Sequence, residues 1–260
     1  YDPVIQAISG LTDIQSANSQ KPKMMRTVIP DKVTALKAAQ AITAGLLYRA
    51  NSDKGCHIRL SMLDAMIAFL WPEGMMNHTL VENESSMIKH GQIAQDLVFE
   101  TLDGYITVGA MSDSEWKSLC EVLQRPGWIN DSRFRDTSLR LKNAKIRLEM
   151  TSEVLREKES SFWLEKFNLK DVPCAPILTR DEMLVHEQVL HNKSYTEFEH
   201  PKFGRIKQSR LAASFDGFEG LEKTTAPTLG QHNVELMESL GYEKSQIKCL
   251  YDKNILFEPS

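Results

Sequence analysis

Residues 29–71, IPDKVTALKAAQAITAGLLYRANSDKGCHIRLSMLDAMIAFLW, constrain the fold more than any other stretch of this chain. Pro30 closes an extended run and Asp31 stands where a helix N-cap is expected, ahead of Val33, Leu36, Ala39, Ile42 and Leu46 at helical spacing. An SDKG turn follows, in which Gly55 is expected to take a positive φ and Lys54 to carry a solvated charge. A short strand through Cys56 and His57 then leads to a second helix, opened by the capping pair Ser61 and Asp64 ahead of Met62, Met66, Phe69 and Leu70. Asp31 has two readings on these residues alone. It is a structural cap, or it is a reactive carboxylate whose negative charge is favoured by the free N–H groups and positive pole of a helix start. An ionised aspartate can attack a carbonyl carbon.

The rest of the chain divides into further regions and shows no internal repeat. Residues 1–72 read as strand and helix elements of an α/β layer, and residues 73–95, rich in Met, Asn, Ser and Glu, as a linker. Residues 96–190 read as a small α+β domain. The Asp103-Gly104 step between VFET and YITVGA signals a hairpin, with helical patterns over Trp116–Leu123 and Leu148–Phe167 and a buried strand at VPCAPIL. Residues 191–260 carry a second linker and the helical LGQHNVELMESLGY, placed as a return to the first domain.

Composition removes several function classes. No apolar run is long enough to span a bilayer, which argues against membrane insertion. A net charge of −4 offers no general attraction to nucleic acid, and the basic cluster at Lys21, Lys23 and Arg26 is short enough to read as a solvated loop. Four cysteines (Cys56, Cys120, Cys174, Cys249) without a CxxC pair suit a reducing compartment, with the cytoplasm as the expected address and no metal site implied. Cys56 and His57 are adjacent on the expected strand and point to opposite faces, so they form no nucleophile–base pair there. Cys174 reads as a small core residue, and His232, near a helix start, as structural.

Five blocks occur in register: YDPVIQAISGL, the Asp31 helix with LLYRANSDKGCHIRLSMLDA, FETLDGYITVGAMSDSEWKSLC, VPCAPILTRDEM and LGQHNVELMESLGY. Together they resemble the family III CoA-transferases of CaiB/BaiF type, a family that includes formyl-CoA and carnitine CoA-transferases and has the alpha-methylacyl-CoA racemases as relatives. The resemblance implies a Rossmann-like large domain, of which this chain holds part, a small α+β domain, and an interlocked homodimer. It also implies that an N-terminal part is missing ahead of Tyr1. The nucleophile maps onto Asp31, while Tyr1 and Asp2 map onto a tyrosine and an acid near it and, with Gln6, are expected to bind the substrate or CoA. Gln6 falls on a recurrent position, with packing as its plain alternative. Coenzyme A enters as the acyl-CoA substrate and a small carboxylic acid as its partner, dicarboxylic acids being a family-level expectation.

What the resemblance implies chemically is a covalent aspartyl intermediate at Asp31, with backbone N–H donors close by for each developing oxyanion. A racemase reading needs an acidic residue shortly before the Asp-Gly turn, where this chain carries Leu97 with Asp96 one position away. The glycine-rich loop of formyl-CoA transferases is matched only by Gly74 and Gly91, which argues against oxalate and formate as substrates. From a different class, a non-catalytic fragment with Asp31 as a simple cap remains open.

Overall fold

A computed structural model describes residues 1–16, 21–75, 78–79, 96–200, 202–214, 216 and 226–258. The chain forms two compact units, Tyr1–Ile177 and Leu178–Ser260. Most of the expected linker at 73–95, with Gly91, lies outside the described residues.

Four helices occupy residues 1–75: α1 (Asp2–Ile8), α2 (Leu11–Ser16), α3 (Ile29–Ser52) and α4 (Met62–Gly74). They pack around Leu11, Val33, Met66 and Leu70, with Ile5, Ile14, Met25 and Ile29 against that cluster. The α3 helix starts earlier than the sequence suggests, with Val28 as N-cap and Pro30 in its first turn. Proline lacks an N–H and has φ fixed near the helical value, so a helix accepts it in that turn instead of waiting until it has passed. Its other end is closed by Asp53 in the left-handed conformation (φ 53°), donating its N–H to Arg49 O at 2.8 Å. The positive φ expected at Gly55 therefore falls two residues earlier, on an aspartate that tolerates it. Ser61 accepts the Asp64 N–H at 3.2 Å and opens α4 as anticipated.

Among the described residues, no paired strand accompanies these helices, in contrast to the α/β layer expected there. The stretch through Cys56 and His57 runs between α3 and α4 as neither helix nor strand. A strand exists through its hydrogen-bonded neighbour, and this segment has none among the described residues. It lies instead along α3, where a Cβ added at Gly45 would stand 2.7 Å from Ile58 Cδ1.

The remainder of the first unit is a three-stranded antiparallel sheet with helices on it. β1 (Val98–Glu100) and β2 (Tyr105–Val108) form the hairpin around Asp103-Gly104, with Phe99 opposite Ile106. β3 (Cys174–Pro176) pairs with the other side of β2, Thr107 opposite Ala175. VPCAPIL is thus a half-exposed edge strand and not a buried one, the position in a sheet that tolerates proline. The helices are α5 (Asp113–Val122), α6 (Thr137–Lys142), α7 (Ala144–Leu155) and α8 (Ser160–Asn168). Trp116, Phe134, Leu155, Trp163 and Phe167 fill the core with Phe99 and Ile106. The single helix expected over Leu148–Phe167 is two, because residues 156–159 break away where Leu102 N–H bonds to Lys158 O at 2.9 Å.

The second unit holds α9 (Arg180–Val185), α10 (Glu187–His191), the hairpin of β4 (Tyr195–His200) with β5 (Gly204–Ser209), α11 (Asn233–Ser239) and α12 (Lys244–Asp252).

Candidate functional site

The site is built where α1 meets the start of α3. Pro3 stands in the first turn of α1, and the helix buries Asp2 and Gln6 on one face, four residues apart. Those two side chains are 5% and 3% exposed, values that call for partners because an unsatisfied buried polar group costs about 1–3 kcal/mol. Asp2 Oδ1 accepts from Gln6 Nε2 at 2.6 Å, and Asp2 Oδ2 accepts from the backbone N–H of Asp31 at 3.2 Å. Gln6 also donates to Thr27 O at 3.3 Å and accepts the Met25 N–H through Oε1 at 3.0 Å. Both ends of the glutamine amide are therefore committed to the segment leading into α3.

Asp31 is the third residue of α3, where an acidic side chain often reaches back to close the helix start. It does not do so here. The α3 N-cap receives no side-chain hydrogen bond, and among the described residues the Asp31 carboxylate accepts none and forms no ion pair. It is exposed at the surface. Nor are the first-turn donors free, contrary to the expectation from sequence. Ile29 N–H donates to Thr27 O at 2.9 Å, Pro30 has no N–H, Asp31 N–H is held by Asp2, and Lys32 N–H donates to Val28 O at 3.2 Å. The N–H groups of Ile29, Asp31 and Lys32 are therefore not available to an oxyanion.

The candidates drawn from the sequence fall into two groups. Asp2, Gln6 and the Asp31 backbone are joined in one network, whereas Tyr1, 99% exposed, stays outside it. The sequence reading missed the role of the basic segment: Lys23 and Arg26 are exposed, yet Met25 between them packs against the helical core and gives its N–H to Gln6. Two apolar methionines within KPKMMR were the available signal. Leu97 packs on the small-domain core, and the exposed Asp96 accepts the Val98 N–H through Oδ1 at 3.0 Å. Among the described residues no group of three His, Cys, Asp or Glu side chains gathers as metal ligands do. In the second unit a separate groove of about 460 Å³ lies between α11 and α12, walled by Val234, Glu238, Lys244, Ile247 and Tyr251.

Comparison with known proteins gives the family. The profile of CoA-transferase family III matches residues 1–233, so this chain belongs to that family. It is 32% identical over 259 residues to the succinyl-CoA:glutarate CoA-transferase of Homo sapiens, covering 98% of this chain and 59% of that protein. Against the formyl-CoA:oxalate CoA-transferase of Shigella sonnei the identity is 22%, over 96% of this chain and 65% of that one. The chain thus spans about three fifths of the length of these relatives. Among solved structures, Rv3272 from M. tuberculosis superposes with a TM-score of 0.75 at 22% identity, over 90% of this chain and 62% of that one. A CAIB/BAIF family protein from Brucella suis gives 0.73 at 23% identity, over 92% and 62%. The mixed helical fold with small sheets is the fold of these structures.

Proposed function

We propose that the whole protein moves CoA from an acyl-CoA thioester to a carboxylic acid, with Asp31 as the covalent nucleophile. The observation that carries this reading is the Asp31 carboxylate itself: exposed, bonded to nothing among the described residues, and mounted on a helix start whose own needs are met by other groups. A carboxylate serving only as a cap would be spent on the helix.

In the first step Asp31 Oδ attacks the thioester carbonyl, and the carbon–sulfur bond breaks to give an acyl-aspartyl anhydride and CoA thiolate. The thiolate attacks the aspartyl carbonyl and expels the donor as its carboxylate, leaving an aspartyl-CoA thioester. The acceptor carboxylate attacks that thioester, forming a second anhydride and freeing the thiolate. Attack of the thiolate on the acceptor's acyl carbon then releases the product thioester and restores Asp31. Tyr1, open to solvent beside the network, is a substrate or CoA contact in this scheme, while Asp2 and Gln6 act from behind the carboxylate.

The name of the human relative makes succinyl-CoA and glutarate the first pair to test. The same reading includes a Rossmann-like large domain completed by residues outside this chain, an interlocked homodimer, and residence in the cytoplasm, in keeping with four free cysteines. Racemisation is disfavoured by Leu97, an apolar residue packed on the small-domain core where that reading needs an acid. The test is to incubate the full-length protein with succinyl-CoA and other acyl-CoA thioesters, quench with hydroxylamine, and map the peptides by mass. A hydroxamate on Asp31, lost with all transfer activity in Asp31→Ala, is expected. An Asp31→Ala protein with full transfer activity refutes the reading.

A further inference from the structure

We infer that Asp2 and Gln6 are positioning residues for the reaction, locking the backbone of Asp31 so that its carboxylate is presented outward without being drawn into the helix cap. The inference rests on the reading of Asp31 as nucleophile and adds to it a way of holding that nucleophile still. Three observations support it. First, Asp2 and Gln6 are buried, at 5% and 3% exposure, so they have almost no surface to offer a ligand. Second, their hydrogen bonds run in one direction, from α1 to the segment that fixes Asp31: Gln6 to Met25 N–H and Thr27 O, Asp2 to the Asp31 N–H. Third, Asp2 uses one oxygen for each partner, Oδ1 for Gln6 and Oδ2 for Asp31, so the two contacts are coupled through one rigid carboxylate.

The consequence for chemistry is geometric. The third residue of α3 is where a side chain folds back onto the helix start, and a reactive carboxylate doing so would lie off the line of attack. The Asp31 N–H is taken by Asp2, the Ile29 N–H by Thr27 O and the Lys32 N–H by Val28 O, which leaves the N–H of Val28, the donor to which a third helical residue reaches back, and the Asp31 carboxylate does not take it. Asp2 also places a negative charge against the positive end of α3, a favourable site for it. The arrangement is specific in hydrogen-bond polarity, since both groups facing Asp2 are donors. An amide at position 2 satisfies one of them and turns an N–H on the other.

That polarity gives the test, in the full-length protein with hydroxylamine trapping at Asp31 as readout. Asp2→Asn is expected to lower kcat and the trapping rate about 100-fold, the scale of a small misplacement of reacting groups, with KM for the acyl-CoA little changed. Gln6→Met, which keeps the packing and removes all three hydrogen bonds of the amide, is expected to act in the same direction more mildly. The double variant Asp2→Asn/Gln6→Glu reverses the polarity of the pair, leaves acceptors for the Asp31 and Met25 N–H groups and gives up the donation to Thr27 O; it is expected to recover part of the trapping rate lost in Asp2→Asn. Recovery of rate by reversed polarity is not what a general loss of folding would give. Amide exchange at Asp31 is expected to quicken in Asp2→Asn and slow again in the double variant.

Wild-type trapping in Asp2→Asn, or a raised KM with unchanged kcat, overturns the positioning role while leaving the nucleophile in place. Unchanged amide exchange at Asp31 in a folded Asp2→Asn protein overturns it independently of any chemistry. Absence of a hydroxamate in the wild type removes the nucleophile, and the positioning role falls with it.

Discussion

The Arg140 side chain is 4% exposed, and a guanidinium at that depth depends on what it touches. Its NH2 group donates to Asp113 Oδ1 at 2.5 Å and to Thr137 Oγ1 at 2.8 Å, its NH1 group donates to Phe134 O at 3.2 Å, and it lies 5.8 Å from the Trp116 ring centroid. The hydrogen bond and charge of Arg140 hold the Asp113 carboxyl below its ordinary value of 3.8. The folded protein thus binds that proton more weakly than the unfolded chain does. Stability drawn from the pair is complete above about pH 4 and is lost as pH falls through the depressed folded value. Asp113→Asn is expected to lower the Tm at neutral pH and to flatten its decline between about pH 4 and pH 2, measured by thermal unfolding across that range. A variant with the wild-type pH slope refutes this assignment. Asp113 is itself mostly exposed, so water screens part of the attraction, and because an asparagine oxygen still accepts from Arg140 the variant removes the charge and keeps the hydrogen bond. At this same scale the resemblance made Asp31, Asp2 and Gln6 legible as candidates, but not how they combine. Asp2 and Asp31 are 29 residues apart, and no periodicity reports a bond between a side chain on one helix and the backbone of another.

Helix ends in the small domain are fixed in two different ways. The α5 helix closes its own start, with Ser112 Oγ accepting the Glu115 N–H at 3.2 Å and Glu115 Oε2 accepting the Ser112 N–H at 2.9 Å. The α8 helix has no such device: its N-cap Glu159 makes no side-chain capping bond. Asp103, from the hairpin turn, does the work from a distance, Oδ1 accepting the Ser160 N–H at 2.7 Å and the Thr101 hydroxyl at 3.1 Å. Ser112→Ala is expected to cost about 1 kcal/mol, as the loss of a local cap does. Asp103→Ala removes the α8 cap and the turn's own bond together, so chemical denaturation is expected to show the larger loss for Asp103→Ala. Equal midpoints for the two variants contradict the remote cap. The same contrast explains what the sequence made legible. Asp103-Gly104 and the Ser61–Asp64 pair are local signals, and both elements formed where they were read. The break between α7 and α8 carries no glycine or proline at 156–159, because it is imposed by docking on the hairpin. The start of α3 lies earlier than its sequence indicates because Pro30, which reads as a stop before the helix, occupies its first turn.

At the scale of the molecule, α3 is the element whose packing is incomplete. Of its 24 residues only Pro30 and Val33 are buried, while Leu36 is 73% and Leu47 61% exposed. Those two leucines lie on one stripe, about three turns apart, and Ile42 and Leu46, also exposed, lie on another. A helix apolar on more than one side is a buried helix, since each fully covered leucine contributes about 1.5–3 kcal/mol. The human relative is longer, this chain spanning 59% of it, so cover can come from the rest of one polypeptide or from a second copy. The interlocked homodimer proposed above offers a second copy as that cover, and lysines placed on this face test it. Leu36→Lys and Leu47→Lys, combined in the full-length protein, are expected to shift the mass measured by light scattering from a dimer toward a monomer and to raise amide exchange along α3. A wild-type monomer with α3 protected assigns the cover to the remaining residues of the same chain. A dimer unchanged by both lysines, with α3 still exchanging freely, removes this face from the interface.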